Sequence, residues 1–353
     1  MEPTRLFDLM ARQAKESPLD DALAWKIDGV WKKWSSASVL EHADAISHGL
    51  RHLGVRKGER VAIISMNRPE WCFVDLGTLQ LGAVSVPIYP TATPTDYEFI
   101  LNHAEVRVAF VSTKAIYDKL MSVRAKLPKL TAVYTFDQIA GASPLSELIA
   151  KGKSTADSQV LSVAKAGVAN DDLASLIYTS GTTDTPKGVM LTHGNLLANV
   201  IAVANEIPSV EIKRALSFLP LSHVFERMVN YFYQYAGISI YYAESIDTVA
   251  KNLKEVSPNV FVTVPRLLEK VYDTIVAKGR DLSGLKRVLF DWSMKMGLNH
   301  NPDLTPGPIH ALELAVARKL VFTKWQEALG GNLKLVIVGG SALQTRLARV
   351  FWA

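Results

Sequence analysis

The chain has 353 residues, which predicts two or three compact units at about 150 residues per domain. Hydrophobic residues make up 48% and charged residues 21%, a composition that excludes disordered, collagen-like and low-complexity proteins. Lys and Arg number 39 against 34 Asp and Glu, and this small, scattered excess gives little support for nucleic-acid binding. The single cysteine, Cys72, excludes an internal disulfide and any site built from several cysteines.

The sequence also bears on cellular location. No apolar run reaches the roughly 18 residues that span a bilayer. The first 17 residues carry acidic side chains and lack the apolar core of a signal peptide. These features, with the single cysteine, predict a cytoplasmic protein. Peripheral contact with an anionic membrane surface stays open because the net charge is mildly basic, and nothing indicates the oligomeric state.

Short β-rich apolar runs alternate with segments of helical period, which predicts an α/β fold with largely parallel sheets. In the first half the predicted strands are residues 61–65, 84–88, 106–111 and 132–134, and the predicted helices are 71–81 and 97–103. In the second half the predicted strands are 173–178, 215–219, 238–242, 260–264 and 333–338. Residues 266–329 are predicted to be mainly helical, with an interruption near 299–308 where Asn, Pro and Gly cluster.

Two further features concern domain organisation. The polar stretch 151–158 is the best candidate for a linker, which predicts subdomains 1–158 and 159–353. Near the end of the chain an amphipathic helix containing Leu343, Leu347 and Val350 has no C-capping glycine or polar tail after it. An apolar helix face at this place predicts a fragment whose helix packs against something further along. A natural terminal helix is the alternative.

The strongest chemical signal is residues 178–189, YTSGTTDTPKGV. An apolar strand runs into a loop with five Ser and Thr hydroxyls, two glycines and Lys187. Such a loop can wrap phosphates, because glycines let the backbone approach, hydroxyls donate hydrogen bonds and the lysine supplies positive charge. It is not a Walker A loop, since Lys187 precedes Gly188 and no Ser or Thr follows the lysine directly. A Ser/Thr-rich surface turn is the alternative interpretation.

This stretch resembles the phosphate-binding signature of the adenylate-forming enzymes, which include acyl-CoA synthetases, luciferases and peptide-synthetase adenylation domains. Residues 54–61 and 67–71 resemble the early part of these enzymes, while 219–227 (LPLSHVFER), 263–266 (TVPR) and 283–292 resemble the long-chain fatty-acid CoA ligases. The resemblance covers essentially all of the chain. It implies the N-terminal domain of this family, in which two largely parallel sheets flanked by helices form a layered αβαβα arrangement, here incomplete at the C-terminus.

The resemblance also implies a reaction. A fatty-acid carboxylate attacks the α-phosphate of MgATP to give an acyl-adenylate and diphosphate, and the thiol of coenzyme A then displaces AMP. By analogy, the β- and γ-phosphates contact Thr179, Ser180, Gly181, Thr182, Thr183 and Lys187. Thr179 is also the implied Mg²⁺ ligand.

Two further sites are implied in the same way. His223 is implied to lie near the acyl and α-phosphate groups, whereas by itself a histidine before Val-Phe is more often a core residue. The turn Gly339, Gly340 and Ser341 is implied to lie along the adenine and the acyl-adenylate, although by itself it indicates only a strand-to-helix turn.

The chain departs from the family pattern at Asp184, where the family has glycine. At about 6 Å and an effective dielectric near 20, a carboxylate and one phosphate charge repel by roughly 3 kcal/mol. We therefore expect Asp184 to weaken ATP binding and Asp184→Gly to strengthen it.

The family's later motifs would lie beyond Ala353. They are an aromatic-Gly-x-Thr-Glu motif, a ribose-binding aspartate and a small C-terminal domain with the adenylation lysine. The 353 residues alone are therefore expected to have little or no ligase activity. Two alternatives to a long-chain ligase are adenylation of another acid, such as a medium-chain or aryl acid, and a non-catalytic homologue that binds nucleotide or lipid.

Two local features lie outside these motifs. Cys72, beside Trp71 and Phe73, is expected to be a buried, inert thiol rather than a nucleophile. Thr192 or Asn195 is expected to cap the start of a helix after the loop.

Overall fold

The computed structural model describes residues 2–179, 186–207, 210–301, 304 and 307–353. By packing, the chain divides into two compact units. Unit 1 contains residues 1–211 and 217–244, and unit 2 contains residues 212–216 and 245–353. None of the helices in the described ranges is long and apolar enough to cross a membrane.

The secondary structure alternates strands and helices along the chain. The strands are β1 (Leu23–Ile27), β2 (Val30–Trp34), β3 (Arg60–Ile64), β4 (Val84–Ile88), β5 (Val106–Val111), β6 (Ala132–Thr135), β7 (Ser143–Pro144), β8 (Leu173–Thr179), β9 (Lys187–Thr192), β10 (Arg214–Ser217), β11 (Ser239–Tyr242), β12 (Val260–Thr263) and β13 (Leu335–Val338). The α-helices are α1 (Phe7–Glu16), α2 (Ser36–His52), α3 (Pro69–Gln80), α4 (Pro94–His103), α5 (Lys114–Met121), α6 (Leu145–Ser154), α7 (Ser158–Ala166), α8 (His193–Glu206), α9 (Val224–Ala236), α10 (Val249–Val256), α11 (Pro265–Arg280), α12 (Gly284–Asn299), α13 (Pro308–Ala317), α14 (Thr323–Ala328) and α15 (Thr345–Trp352). A short 3₁₀-helix follows α5 and a π-helical turn joins α13 to α14.

Unit 1 contains a seven-stranded sheet in the order β7-β6-β5-β3-β4-β8-β9. Its neighbours run parallel, apart from β8 and β9, which form an antiparallel hairpin. Every residue of β4 is buried, and so are all but one residue of β5. Strands buried on both faces need near-continuous apolar sequence, which is the pattern that predicted them.

The remaining strands belong to a second sheet, described here unit by unit. In unit 1, β1 pairs in parallel with β11 and antiparallel with β2. In unit 2, β12 pairs in parallel with β10 on one side and β13 on the other. The prediction of an α/β fold with two largely parallel sheets flanked by helices is confirmed.

Local sequence explains how the helices begin. Helix α3 starts at Pro69, whose fixed φ and missing N–H suit the first helical position. Helix α4 starts with a capping box, in which the Thr93 hydroxyl accepts from the Asp96 N–H and the Asp96 carboxylate accepts from the Thr93 N–H. Helix α3 is buried along almost its whole length, so its one aspartate, Asp75, lies in the core.

The predicted linker, residues 151–158, is mostly helical. Helix α6 ends at Ser154 and α7 begins at Ser158. The polar residues between them serve as a turn and a cap, because the Asp157 carboxylate accepts from the N–H groups of Gln159 and Val160. The predicted subdomain boundary after residue 158 stays a prediction.

Candidate active site

The β8–β9 hairpin supports the predicted phosphate loop. Thr179 and Lys187 are opposite each other across the two strands, at the end where the loop connects them. Both are exposed, and the Lys187 ammonium forms no ion pair with any residue in the described ranges. The predicted contacts Ser180, Gly181, Thr182 and Thr183, together with Asp184, lie outside the described residues. The hairpin thus places the two residues that begin and end the candidate loop opposite each other.

Packing around Tyr178 holds the end of this hairpin. The Tyr178 hydroxyl lies 2.7 Å from His103 Nδ1, and the two rings are in edge contact. Across the hairpin, a Cβ on Gly188 would lie 3.2 Å from Tyr178 Cζ, closer than ordinary van der Waals contact. Gly188, at the end of the signature, is therefore needed at least for its fit against the Tyr178 ring.

The implied Mg²⁺ ligand, Thr179, offers one exposed hydroxyl oxygen. In the part of the chain that the structure describes, no group of three or more His, Cys, Asp or Glu side chains could hold a metal. Mg²⁺ typically keeps several waters and binds through one or two carboxylates plus substrate phosphates. Thr179 therefore fits an ion that is bound mainly by nucleotide phosphates, and not an ion held by the protein alone.

His223 is the N-cap of α9 and is exposed, so the alternative of a packed core histidine is wrong. Its backbone N–H donates to the Pro220 carbonyl at 2.9 Å, and its Nδ1 accepts from the Phe225 N–H at 3.1 Å. An accepting Nδ1 carries no proton, so in the neutral ring the hydrogen is on Nε2. His223 thus has an Nε2–H that can donate to an anionic oxygen.

Behind His223, α9 carries a buried ion pair that the sequence analysis missed. Arg227 Nη2 lies 2.6 Å from Asp75 Oδ1 on α3, and Nη1 donates to Ser175 Oγ on β8 at 2.5 Å. Arg227 Nε donates to the Tyr231 hydroxyl at 3.0 Å, and that hydroxyl donates to the second Asp75 oxygen. Arg227 and Asp75 are each 1% exposed. The network joins α9 to α3 and to the strand that leads into the candidate phosphate loop.

Glu226, on α9, is a second buried carboxyl, and it forms no ion pair with any described residue. Its Oε1 accepts from Ser217 Oγ at 2.5 Å and from Asn230 Nδ2 at 3.3 Å. Burial raises the pKa of Glu226 to about 8 despite these hydrogen bonds. The group is therefore mostly a neutral acid at pH 7.

The predicted turn Gly339, Gly340 and Ser341 lies in unit 2, directly after β13. The Gly339 N–H donates to the Thr263 carbonyl at 3.1 Å. Gly340 has φ of +85°, in the left-handed region, and a Cβ there would meet only Val264 Cγ1 at 3.7 Å. The left-handed backbone conformation thus explains why residue 340 is a glycine.

The structure agrees with both minor expectations and adds one buried histidine. Cys72 is buried, and desolvation raises the pKa of its thiol far above the usual range, so it is not a nucleophile. Thr192 and Asn195 form a capping box at the start of α8. His193, which directly follows Thr192, is buried, and its Nδ1 accepts from the Leu6 N–H at 3.2 Å. Burial lowers the pKa of His193 to about 4.

Comparison with known proteins places the chain in a family. The family model for AMP-binding enzymes matches residues 10–353. The chain belongs to the AMP-binding enzyme family. The chain is 34% identical over 335 residues to the long-chain-fatty-acid–CoA ligase FadD15 of Mycobacterium bovis, covering 92% of the chain and 54% of that protein. It is 30% identical over 333 residues to the peroxisomal long chain acyl-CoA synthetase 6 of Arabidopsis thaliana, covering 90% and 46%.

The chain therefore spans about half the length of the curated relatives it matches. Among solved structures, the A-PCP didomain of carboxylic acid reductase from Segniliparus rugosus, in complex with AMP, aligns with a TM-score of 0.73 at 20% identity, covering 100% of this chain and 55% of that one. The N-terminal domain of FACL13 from Mycobacterium tuberculosis aligns with a TM-score of 0.69 at 19% identity, covering 100% and 73%. At these identities the structures share the fold.

Proposed function

We propose that this AMP-binding enzyme acts in the ATP-dependent ligation of long-chain fatty acids to coenzyme A. The observation that carries the proposal is the hairpin that sets Thr179 opposite Lys187 at the two ends of a segment with four Ser and Thr hydroxyls and Gly181. The long-chain substrate class is supported by relatives of 30 to 34% identity that are named for it.

In the first proposed step, a carboxylate oxygen of the fatty acid attacks the α-phosphorus of ATP. A C–O–P linkage forms, the bond from the α-phosphorus to the bridging oxygen breaks, and diphosphate leaves with the electron pair. Two anions must approach each other, so the site has to supply positive charge and hydrogen-bond donors. Lys187, with no described ion pair, supplies a charge at the β- and γ-phosphates, and Thr179 supplies a hydroxyl.

His223 has a donor suited to the same step. In the proposed role, its Nε2–H donates to an oxygen of the α-phosphate or of the acyl carboxylate as negative charge is redistributed. The hydrogen bond from Phe225 N–H to Nδ1 supports this role, because it fixes which ring nitrogen carries the hydrogen. In the second step, the sulfur of coenzyme A attacks the acyl carbon, AMP leaves with its electron pair, and the thiol proton passes to solvent.

Thr179 would hold Mg²⁺ as one ligand beside the nucleotide phosphates, and the bound ion would neutralise part of their charge. The turn Gly339, Gly340 and Ser341 is proposed to contact the adenine side of the nucleotide. The cytoplasmic location and the peripheral membrane contact remain proposals from composition.

The experiment is fatty-acid-dependent exchange of labelled diphosphate into ATP, with acetate, octanoate, benzoate and hexadecanoate, by a protein that carries this chain together with the later motifs of the family. This reaction measures adenylation without coenzyme A. We expect exchange with hexadecanoate to exceed exchange with octanoate at least tenfold. Exchange that is fastest with benzoate or octanoate would contradict the long-chain assignment and support adenylation of an aryl or medium-chain acid. Binding of MgATP without exchange for any acid would favour a non-catalytic nucleotide-binding protein.

A further inference from the structure

The side chain of Asn67 holds the turn that precedes His223. Its Nδ2 donates to the Leu219 carbonyl at 2.6 Å, and its Oδ1 accepts from the Leu221 N–H at 3.0 Å. One amide therefore satisfies backbone groups on both sides of Pro220. Asn67 lies about 150 residues earlier in the chain, in the segment between β3 and α3, so it joins two distant parts of unit 1.

The turn itself is poorly supplied with backbone hydrogen bonds. Pro220 has no N–H, and its carbonyl accepts from the His223 N–H at 2.9 Å. Leu221 is 1% exposed, so its N–H would be costly to leave without a partner. The Asn67 amide supplies the acceptor that the turn lacks.

A second contact extends this support to the start of α9. Ser217 Oγ accepts from Asn67 Nδ2 and from Asn230 Nδ2, each at 3.3 Å, and donates to Glu226 Oε1. Glu226 and Asn230 lie on α9, the helix that His223 caps. Asn67 is thus connected to His223 from both sides, through the 219–221 turn and through the first turns of α9.

We propose that Asn67 is a positioning residue for His223: it fixes the 219–221 turn and thereby the orientation of the imidazole whose Nε2–H serves adenylation. The inference rests on the proposed function for the role of His223. Asn67 acts through the backbone of the turn, and its own amide is already engaged by Leu219, Leu221 and Ser217.

An amide is suited to this position because it offers a donor and an acceptor in one fixed plane. Asn67→Asp keeps the acceptor for Leu221 and replaces the donor to the Leu219 carbonyl by an oxygen that repels that carbonyl. Asn67→Ala loses both contacts. If the proposal is right, each variant should change the environment of His223.

The first test is nitrogen NMR of protein labelled with ¹⁵N-histidine, with the His223 signals assigned by their absence in His223→Gln. In the wild-type protein we expect distinct signals for a protonated Nε2 and an unprotonated Nδ1. In Asn67→Ala the two ring signals should move toward each other as the tautomers mix, and the His223 signals should change in Asn67→Asp as well. The control is Asn170→Ala, which removes another distant contact of a side-chain amide, Asn170 Nδ2 to the Thr4 carbonyl at 2.9 Å.

His223 signals that are unchanged in a folded Asn67→Ala protein would overturn the proposal. So would equal changes in the Asn170→Ala control. If Asn67→Ala fails to fold, Asn67→Asp alone decides, because it keeps one of the two turn contacts.

The second test measures affinity for hexadecanoyl sulfamoyl adenosine, a stable mimic of the acyl-adenylate. We expect Asn67→Ala to weaken binding about five- to tenfold in the wild-type background and less than twofold in the His223→Gln background. Equal losses in both backgrounds would mean that Asn67 does not act through His223. If the wild-type protein itself does not bind the mimic, the proposed function fails, and the NMR test still decides the role of Asn67.

Discussion

At the residue scale, neighbouring residues on α9 meet the cost of burying charge in two different ways. Arg227 is fully buried and paired with Asp75, with a serine and a tyrosine occupying further donors. Glu226 is equally buried, has only neutral partners among the described residues, and avoids the cost by holding its proton. The stability of the protein therefore depends on Asp75 as the partner of Arg227, and it depends on pH through Glu226.

The ion pair leads to a prediction for Asp75→Asn. This change keeps the shape of the side chain and leaves the Arg227 charge buried without its carboxylate, so we expect a loss of about 3 to 5 kcal/mol of unfolding free energy. Urea denaturation measures it. The matched control is Asp118→Asn, which breaks the exposed pair of Lys114 and Asp118, whose side chains are 71% and 54% exposed. The control should lose at most about 1 kcal/mol, and similar losses for both variants would contradict the account.

The raised pKa of Glu226 predicts that the stability of the protein depends on pH. Its pKa is raised from 4.5 to about 8 in the folded protein, so between these values the native state binds one proton more than the unfolded state. The stability it contributes is complete below pH 4.5 and falls by about 1.4 kcal/mol per pH unit as the pH rises toward 8. His193 has the opposite effect, because its pKa is lowered from 6.5 to about 4 and stability rises with pH across that range.

The window from pH 6.5 to 8 therefore isolates Glu226 from His193. We expect Glu226→Gln, which cannot ionise, to show a shallower decline of unfolding free energy with pH in this window than the wild-type protein. Thermal or urea denaturation at several pH values measures the two slopes. Equal slopes would show that Glu226 ionises normally in the folded protein.

At the element scale, the β8–β9 hairpin determines where the proposed phosphate loop begins and ends. Its register places Tyr178 opposite Gly188 and Thr179 opposite Lys187. The Tyr178 ring is held by the His103 hydrogen bond, so it has little room to move away from a side chain at position 188. After a one-residue change of register, Thr179 would no longer be opposite Lys187. The side chains of the shifted strand would also move to the opposite face of the sheet.

Two glycine substitutions test this packing. Gly188→Val should destabilise the protein by about 1 to 3 kcal/mol, because even a Cβ there is 3.2 Å from the Tyr178 ring. Gly167→Ala is the control: its Cβ would have ordinary contacts of 3.4 Å or more, and its φ of −77° is normal for alanine. We expect it to be neutral or to stabilise by about 0.4 to 1 kcal/mol. Thermal denaturation distinguishes them, and a neutral Gly188→Val would argue against this register.

Elements with a strong local pattern could be predicted from the sequence. The predicted strands 84–88 and 106–111 have the same bounds as β4 and β5, because each is apolar except at one position, Ser85 in β4 and Arg107 in β5. Strand β9 was not predicted, since its exposed residues and glycine give no alternating pattern. The Asp75–Arg227 pair could not be predicted, because its partners are 152 residues apart and neither local sequence indicates the other.

At the scale of the whole molecule, the candidate site residues are distributed over both units. Thr179, Lys187 and His223 lie in unit 1, and the 339–341 turn lies in unit 2. Sequence resemblance predicted these residues as one site, and each is found at the end of a strand or the start of a helix, where backbone groups and side chains are available to a ligand. The family assignment rests on a match over residues 10–353, and the complete ligase reaction is a proposal for a chain that covers about half of its relatives.

The central claim is that the hairpin loop binds the phosphates of ATP, and calorimetric titration with MgATP tests it most directly. We expect the wild-type protein to bind and Lys187→Ala to bind about 10- to 100-fold more weakly, because a hydrogen bond to a charged group contributes about 1.5 to 3 kcal/mol. Lys114→Ala, which removes an exposed lysine on α5, should bind as the wild type does. Unchanged affinity in Lys187→Ala, or no binding by the wild-type protein, would contradict the account.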